Sequence, residues 1–320
     1  AEQAVNDFLD FDFAEGSKEA KAYGAIKYDE KFRADAVQAK LAALKDRANE
    51  TATSAPAQGE AEFELELTKD GNGVVITQYK GKSKHVVVPA EIQGLPVKSV
   101  RGLGSGIVSA VFADGIETVG GCAYDTLETV VLPSTLKVIE TKAFNGCTAL
   151  RAVEFPASLK AIGVEAFAGS GLEEVRLPEG LVLLGGGAFN RCENLTALSL
   201  PKSLRFLHDG WEDTRIMTDD WKYTVRGIAA SCDRLEHIAI PDGFSVTRLY
   251  VHTVNGYLNG YYRYDVSSYK GDLSGLISGI KISESVALQK LLKDTTYAFA
   301  TDDQKTEFRT LLAEYGFERP

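Results

Sequence analysis

The sequence predicts an α/β repeat solenoid: short parallel strands stacked turn upon turn, entered by an N-terminal β-hairpin and helices and closed by a C-terminal hairpin and helical cap. Three observations carry this expectation. Pro133, Pro156, Pro178 and Pro201 recur at a nearly constant interval. Apolar residues hold the same places within each interval. The regular copies sit mid-chain and the irregular ones outside them, as expected where terminal turns face solvent on one side.

Aligned on their opening dipeptide, residues 132–154 read LPSTLKVIETKAFNGCTALRAVE, 155–176 read FPASLKAIGVEAFAGSGLEEVR and 177–199 read LPEGLVLLGGGAFNRCENLTALS. Before each Pro lies a short strand, with Leu150, Val153 and Phe155, then Leu172, Val175 and Leu177, then Leu195, Leu198 and Leu200 pointing inward. After each Pro comes a second apolar set: Leu136 and Ile139, Leu159 and Ile162, Leu181 and Leu184. An Ala-Phe step follows at Phe144, Phe167 and Phe189. One copy cannot bury these groups, whereas stacked copies form a continuous core with strands about 4.8 Å apart. Degenerate copies precede at about 88–111 and 112–131, and two more follow from Leu200 and Ile240.

Cys147, Cys192 and Cys232 hold the same place relative to the next Pro, at Pro156, Pro201 and Pro241; the copy between has Gly169 there, with Ser170 beside it. A nucleophile has no reason to recur once per turn, whereas a small, weakly polar side chain at a tight turn does. Cys192 and Cys232 belong to consecutive copies, which leaves a disulfide between them open. Cys122 is out of phase.

The pattern LPxxLxxIxxxAFxxCxxLxxV resembles the BspA-like, Treponema-type leucine-rich repeat. Residues 73–100, GVVITQYKGKSKHVVVPAEIQGLPVKSV, resemble that family's entry segment, in which a strand and a Tyr-x-Gly turn lead into a Pro-containing first repeat. The resemblance spans roughly 63–245. It implies a parallel-strand solenoid, a bacterial surface or secreted setting and adhesin-like binding of other proteins. It brings no catalytic residues.

The flanks divide the chain into a helical segment at 1–50, a linker at 51–61, the solenoid with its entry hairpin at 62–245, and a Tyr-rich hairpin with helical cap at 246–320. In 28–49, Phe32, Val37, Leu41 and Leu44 form one apolar stripe, and Val5, Phe8 and Leu9 suggest a shorter helix. A cap, a dimerisation element and a stalk are all compatible with these helices. ETATSAPAQGEA has linker composition. In EFELELT, Phe63, Leu65 and Leu67 share one strand face and Asp70-Gly71 opens a turn. Near the other end, Asn255-Gly256 and Asn259-Gly260 are hairpin dipeptides among Tyr250, Tyr257, Tyr261, Tyr262, Tyr264 and Tyr269. Their rings suit cross-strand aromatic pairs covering the solenoid end, or a tyrosine-rich contact surface. Val286, Leu288, Leu291 and Leu292 have helical spacing. A second helix starts at a Thr301/Gln304 capping box, buries Phe308, Leu311 and Leu312 and stops at Gly316.

The copy from Leu200 runs from Pro201 to Pro241, well beyond the usual interval, so it carries an insertion at approximately 206–224 with both tryptophans, Trp211 and Trp221. Such insertions emerge as loops on one face. The pair suits an exposed contact or a seal on the solenoid flank, and the usual burial of Trp favours the seal. Asp209, Glu212, Asp213, Asp219 and Asp220 lack the ordered calcium-loop spacing and read as a solvated acidic loop.

No catalytic constellation emerges. His85, His208, His237 and His252 lack metal spacing, GLGSG at 102–106 lacks the rest of a phosphate loop, and Ser105 lacks a nucleophile elbow. No cofactor or metal is expected. An enzyme would need a pocket between the insertion and the Tyr-rich hairpin, using Asp213 or His208. The net charge of −10 argues against nucleic acid. No apolar run is long enough to cross a bilayer, so no transmembrane segment is expected. The composition, 44% hydrophobic and 25% charged, is that of an ordinary folded domain with no need of disulfides. A chain opening at Ala1 without methionine suits a secreted protein freed of its signal or a trimmed chain equally.

The expected function is non-enzymatic binding of a protein or glycoprotein, host matrix proteins among the candidates, in a secreted, periplasmic or cell-surface setting. The contact surface is the outward face of the strands: Ser109, Val111, Thr129, Val131, Ala152, Glu154, Glu174, Arg176, Ala197, Ser199, His237 and Ala239. The insertion, with Trp211 and Trp221, adjoins it. The alternative is a structural module that forms a homo-oligomer through this face or the helical ends.

Overall fold

The turns of the chain contribute short strands to two ladders, a main one that is continuous and an outer one that is interrupted once among the described residues. The structure is a computed structural model describing residues 60–121, 125–209, 228–229, 231–235, 237–239, 247–255, 262–270 and 302–316. The main ladder runs in parallel through Leu95–Val100, Thr118–Val119, Val138–Ile139, Ala161–Ile162, Leu183–Gly185, Phe206–Asp209 and Thr247–Asn255. These strands follow each Pro, where the sequence suggested only an apolar set. The outer ladder, before each Pro, runs through His85–Val88, Ser109–Phe112 and Thr129–Val131, then resumes at Glu174–Arg176, Ala197–Ser199 and His237–Ala239. Residues 151–155 lie outside any strand and interrupt it.

The core lies between the ladders. Ile139, Ile162 and Leu184 from one side and Val153, Val175 and Leu198 from the other are buried. Phe144, Phe167 and Phe189 stack one above another, with centroids 5.0 and 5.6 Å apart and planes within 13°. Phe155 meets the Phe167 edge at 5.5 Å. The stack ends at Ala229: Phe167 N–H bonds Ala188, and Phe189 N–H bonds Ile228, each the residue just before the next turn's equivalent.

The arcs between ladders are turns, not helices, which corrects the α/β expectation to a β-solenoid. The α-helix among the described residues is Asp302–Glu314. Left-handed residues punctuate the arcs: Lys142, Glu165 and Gly187 form one column, and Gly146, Gly169, Arg191 and Ser231 another. A helix cannot pass through such residues without penalty. Neighbouring turns also approach closely. A Cβ at Gly163 would lie 2.4 Å from Thr141 N, and one at Gly185 would lie 2.3 Å from Gly163 C. Hydroxyls tie turn to turn as well: Thr135, Ser158 and Ser203 donate to the carbonyls of Ile116, Leu136 and Leu181 at 2.9, 2.7 and 2.8 Å. The recurrent Pro-x-Ser/Thr-Leu step of the sequence carries this column.

The entry hairpin pairs Phe63–Leu67 with Val74–Tyr79, as expected, around an Asp70 turn in which Asn72 N donates to Asp70 Oδ1 at 3.1 Å. Of the expected Phe63/Leu65/Leu67 face, Phe63 is buried and Leu65 packs against the core, whereas Leu67, the last residue of the strand, is 65% exposed. Tyr79 lies over Gly81, where a Cβ would meet its hydroxyl at 2.1 Å, so the Tyr-x-Gly turn needs its glycine.

At the other end, Thr247–Asn255 and Tyr262–Lys270 form an antiparallel pair that extends the main ladder. The register sets Tyr250 opposite Ser267, Tyr262 opposite Asn255, Tyr264 opposite Thr253 and Tyr269 opposite Arg248. Cross-strand aromatic pairs were expected; in this register none of these four tyrosines lies directly opposite another aromatic residue. Phe206–Asp209 also corrects the insertion boundary: these residues are a ladder strand, so the extra length begins after Asp209. The insertion itself is consistent with the register, in which Phe206 pairs with Thr247, far beyond one ordinary interval. The N-terminal helices, 1–50 and most of the linker, the helix expected near 286–292, Cys122, Trp211, Trp221 and Asp213 lie outside the described residues.

The last helix does not cap the solenoid end. It lies across the outer side of the main ladder, where Val138, Ala161, Leu183 and Phe206 from four successive turns form a separate apolar cluster with Leu312, bordered by Leu311 and Tyr315. Arg205 holds Glu307 with two bonds, that of Nη2 to Oε2 being 2.8 Å, and stacks over the Phe206 ring at 5.4 Å. Gly316, with φ 71°, ends the helix as expected.

Candidate functional site

The turns are not all of one length, and the candidate site lies where the length changes. Main-ladder partners are first more closely spaced along the chain (Ser99 to Thr118 to Val138) and then further apart (Val138 to Ala161 to Leu183 to Phe206). The added residues fall in one arc. From main to outer ladder the chain runs from Val119 to Val130 before the change and takes a longer path, Ile139 to Val153, after it. The return arc keeps its length, from Val130 to Ile139 and from Val153 to Ile162. The longer arc carries the first fully described Phe144–Cys147 turn. Residues 151–155, the first outer segment after the longer arc, form a strand with neither Thr129–Val131 nor Glu174–Arg176, and the outer ladder is interrupted there.

A groove of about 490 Å³ opens there, lined by segments 129–134 and 152–158 together with Phe112 and Asp114. Its apolar lining includes Val130, Val131, Leu132, Pro133 and Pro156, and its charged lining residues are Asp114 and Glu154. Asp114 Oδ1 accepts from Ser134 N at 2.7 Å and Ser134 Oγ at 2.9 Å, which binds consecutive turns together at the groove edge.

The groove brings together four residues expected on the contact face: Thr129, Val131, Ala152 and Glu154. Val111 and Val131 are half-buried and in register with Val87, forming an outward valine stripe that runs into the groove. Ser109 and Thr129 need correcting: at 4% and 8% exposure they offer little to a partner. Small side chains between close neighbouring strands are shielded by the residues above and below, and Ser109 Oγ lies 2.9 Å from His85 Nδ1. On the resumed ladder Arg176 is exposed, and Glu174, Ala197 and Ser199 are half-buried. The strand at His237 and Ala239 is in register, but its side chains lie outside the described residues. Asp114, Ser134, Pro156 and Ser158 were not anticipated; the legible signal was the change from short to long intervals.

Cys147, Cys192 and Cys232 are buried and carry free thiols, so the structure has no Cys192–Cys232 disulfide. Cys192 Sγ donates to the Phe167 carbonyl at 3.2 Å, and Cys232 Sγ to the Phe189 carbonyl at 3.1 Å. Ser170, not Gly169, fills the missing place in the column: its Oγ lies 3.3 Å from Cys192 Sγ. The hydrogen bond with Cys192 and burial push the Cys232 thiol well above its ordinary range. The thiols therefore serve the stack.

One carboxylate is perturbed by the stacking. Glu140 reaches over Gly120, where a Cβ would come within 2.1 Å of Glu140 Oε2. Burial raises its pKa, and the positive charge of Arg101 opposes the rise. On the preceding turn the Glu117 carboxyl is lowered, first by the hydrogen bond from Lys137 at 2.9 Å. No group of three or more metal-binding side chains occurs among the described residues. No helix among them is long and apolar enough to cross a membrane.

Comparison with known proteins identifies the repeat. Residues 120–211 match six copies of the BspA type leucine-rich repeat region. A leucine-rich repeat protein of T. pallidum is 28% identical, with 59% of this chain and 83% of that one covered and a TM-score of 0.47. A leucine-rich repeat protein of Bacteroides ovatus is 22% identical over 56% of this chain and 52% of its own, with a TM-score of 0.40. A leucine-rich cell surface protein of Faecalibacterium prausnitzii is 20% identical over 68% and 59%, with a TM-score of 0.44. No curated protein matches the chain. Residues 120–211 are a BspA-type leucine-rich repeat region, the part of the solenoid that carries the phenylalanine stack and the first two cysteines of the column.

Proposed function

We propose that this chain is a non-enzymatic, adhesin-like binding module of a secreted or cell-surface protein, and that it holds a protein or glycoprotein partner on the outward side of the outer ladder. The observation that carries this reading is the seam: a groove at the one interruption of the ladder among the described residues, continuous with the valine stripe. Half-buried Val111, Val131, Ala152, Ala197 and Ser199 let a partner backbone come close. The repeat family supports a protein-interaction role.

Binding to immobilised host matrix proteins tests this. Val111→Arg and Ala152→Arg obstruct the ladder face, whereas Arg191→Glu changes an exposed arc residue elsewhere. The reading expects both face variants to lose at least tenfold in affinity while the arc variant binds normally. Loss confined to Arg191→Glu would move the site off the ladder. Self-assembly through the C-terminal helix draws no support, because Leu312 packs on the chain's own ladder.

A further inference from the structure

Resting on that reading, we infer that the seam groove takes an extended, cation-bearing segment of the partner: a strand-like peptide with Lys or Arg two places to either side of an aliphatic residue.

The shape and apolar lining argue for an aliphatic residue in an extended chain. Pro133 and Pro156, one from each side of the seam, flank an apolar lining of Val130, Val131 and Leu132. About 490 Å³ is ample for one or two aliphatic side chains. An extended segment places alternate side chains on opposite sides, so one residue can enter the groove while the residues two places before and after it, on the same side, meet the rim. Residues 151–155, outside the ladder, run along one wall.

The rim decides the charge. Asp114 and Glu154, from opposite sides of the seam, are both exposed and are the charged residues of the groove lining; each already has an interaction within the chain, to which a partner's cation would add. Asp114 is fixed by its two bonds from Ser134, so its charge is held in place before any partner arrives. A chain of net charge −10 adds a long-range attraction for cations that salt screens. An acidic segment would meet like charge at both edges.

The test uses the full chain and two fluorescein-labelled peptides on one framework, GTKTVTKTG and GTETVTETG, in which the valine and both charges share one side of the extended chain, with anisotropy read at 50 and 300 mM salt. The lysine peptide is expected to bind at least tenfold more tightly than the glutamate peptide at low salt, with the preference shrinking at high salt. Asp114→Asn combined with Glu154→Gln should remove most of that preference, and Glu193→Gln, an exposed residue outside the groove lining, should leave it. Equal binding of the two peptides overturns the charge assignment and leaves the wider ladder-face reading standing. Loss of partner binding in Ala152→Arg without any peptide binding overturns the extended-segment assignment alone. Normal partner binding by both Val111→Arg and Ala152→Arg overturns the ladder-face reading and this inference with it.

Discussion

Replacing Phe167 by alanine probes the stack that holds the turns together. Phe167 meets Phe144 at 5.0 Å, Phe189 at 5.6 Å and Phe155 edge-on at 5.5 Å. Phe189 has one such partner among the described residues, Phe167, and its next neighbour in the column is Ala229. Truncating a buried Phe costs about 3–5 kcal/mol, and each aromatic contact adds about 0.5–1.5 kcal/mol beyond area burial. Phe167→Ala forfeits two contacts more than Phe189→Ala, so it should cost more by about 1–3 kcal/mol. Urea unfolding followed by far-UV circular dichroism reads the difference, with the slope checked so that a split transition is not mistaken for lower stability. Costs within about 0.5 kcal/mol of each other, or a larger cost for Phe189→Ala, would refute the reasoning from stacking.

Further predictions follow from the arcs, the helix and the buried carboxylate. Gly185→Ala should destabilise by about 1–3 kcal/mol or more, because its Cβ meets backbone at 2.3 Å, whereas Gly120→Ala should be milder, because the clash at 2.1 Å is with the movable Glu140 carboxylate. Arg191→Gly, at φ 56°, should raise the urea midpoint by about 1 kcal/mol equivalent through relief of left-handed strain. Leu312→Asp should release the helix from Val138, Ala161, Leu183 and Phe206, which dye binding and proteolysis near Glu314 would detect. The raised pKa of Glu140 means that its protonated form favours the fold. Its contribution is fully present below the unfolded pKa and is lost as pH rises through the higher folded value. Glu140→Gln should therefore gain stability over the parent at pH 7, with the gain fading as pH falls through that window in unfolding titrations. Iodoacetamide should leave Cys147, Cys192 and Cys232 unlabelled in the native protein and label them all in guanidinium.

The repeat was legible because one Phe, one Cys or Ser and three or four aliphatic residues recur in each turn, and each belongs to a stacked column. The main ladder was not legible as strand. Its pieces Val138–Ile139 and Ala161–Ile162 are very short, and both residues of each are buried. The alternation that marks a half-exposed strand is therefore absent: the outward residues are covered by a helix from the far end of the chain. The same distance misplaced the helix, since an apolar stripe at Leu311 and Leu312 says that one side is buried but not against what. The contact face was readable from alternation before each Pro. The accessible part of it was not, because Ser109 and Thr129 are shielded by strand neighbours that sequence spacing does not rank. The groove lies where one arc lengthens, from Val119–Val130 to Ile139–Val153, a difference visible in the alignment that does not by itself show a groove.

Amide hydrogen exchange with and without a bound partner tests the central claim most directly. The account predicts protection concentrated at 129–134 and 151–158, where the groove is lined by both sides of the seam, with no change at 161–162 and 183–185 under the helix. Protection confined to the main ladder or the helix, with the seam exchanging as in the free protein, would contradict it.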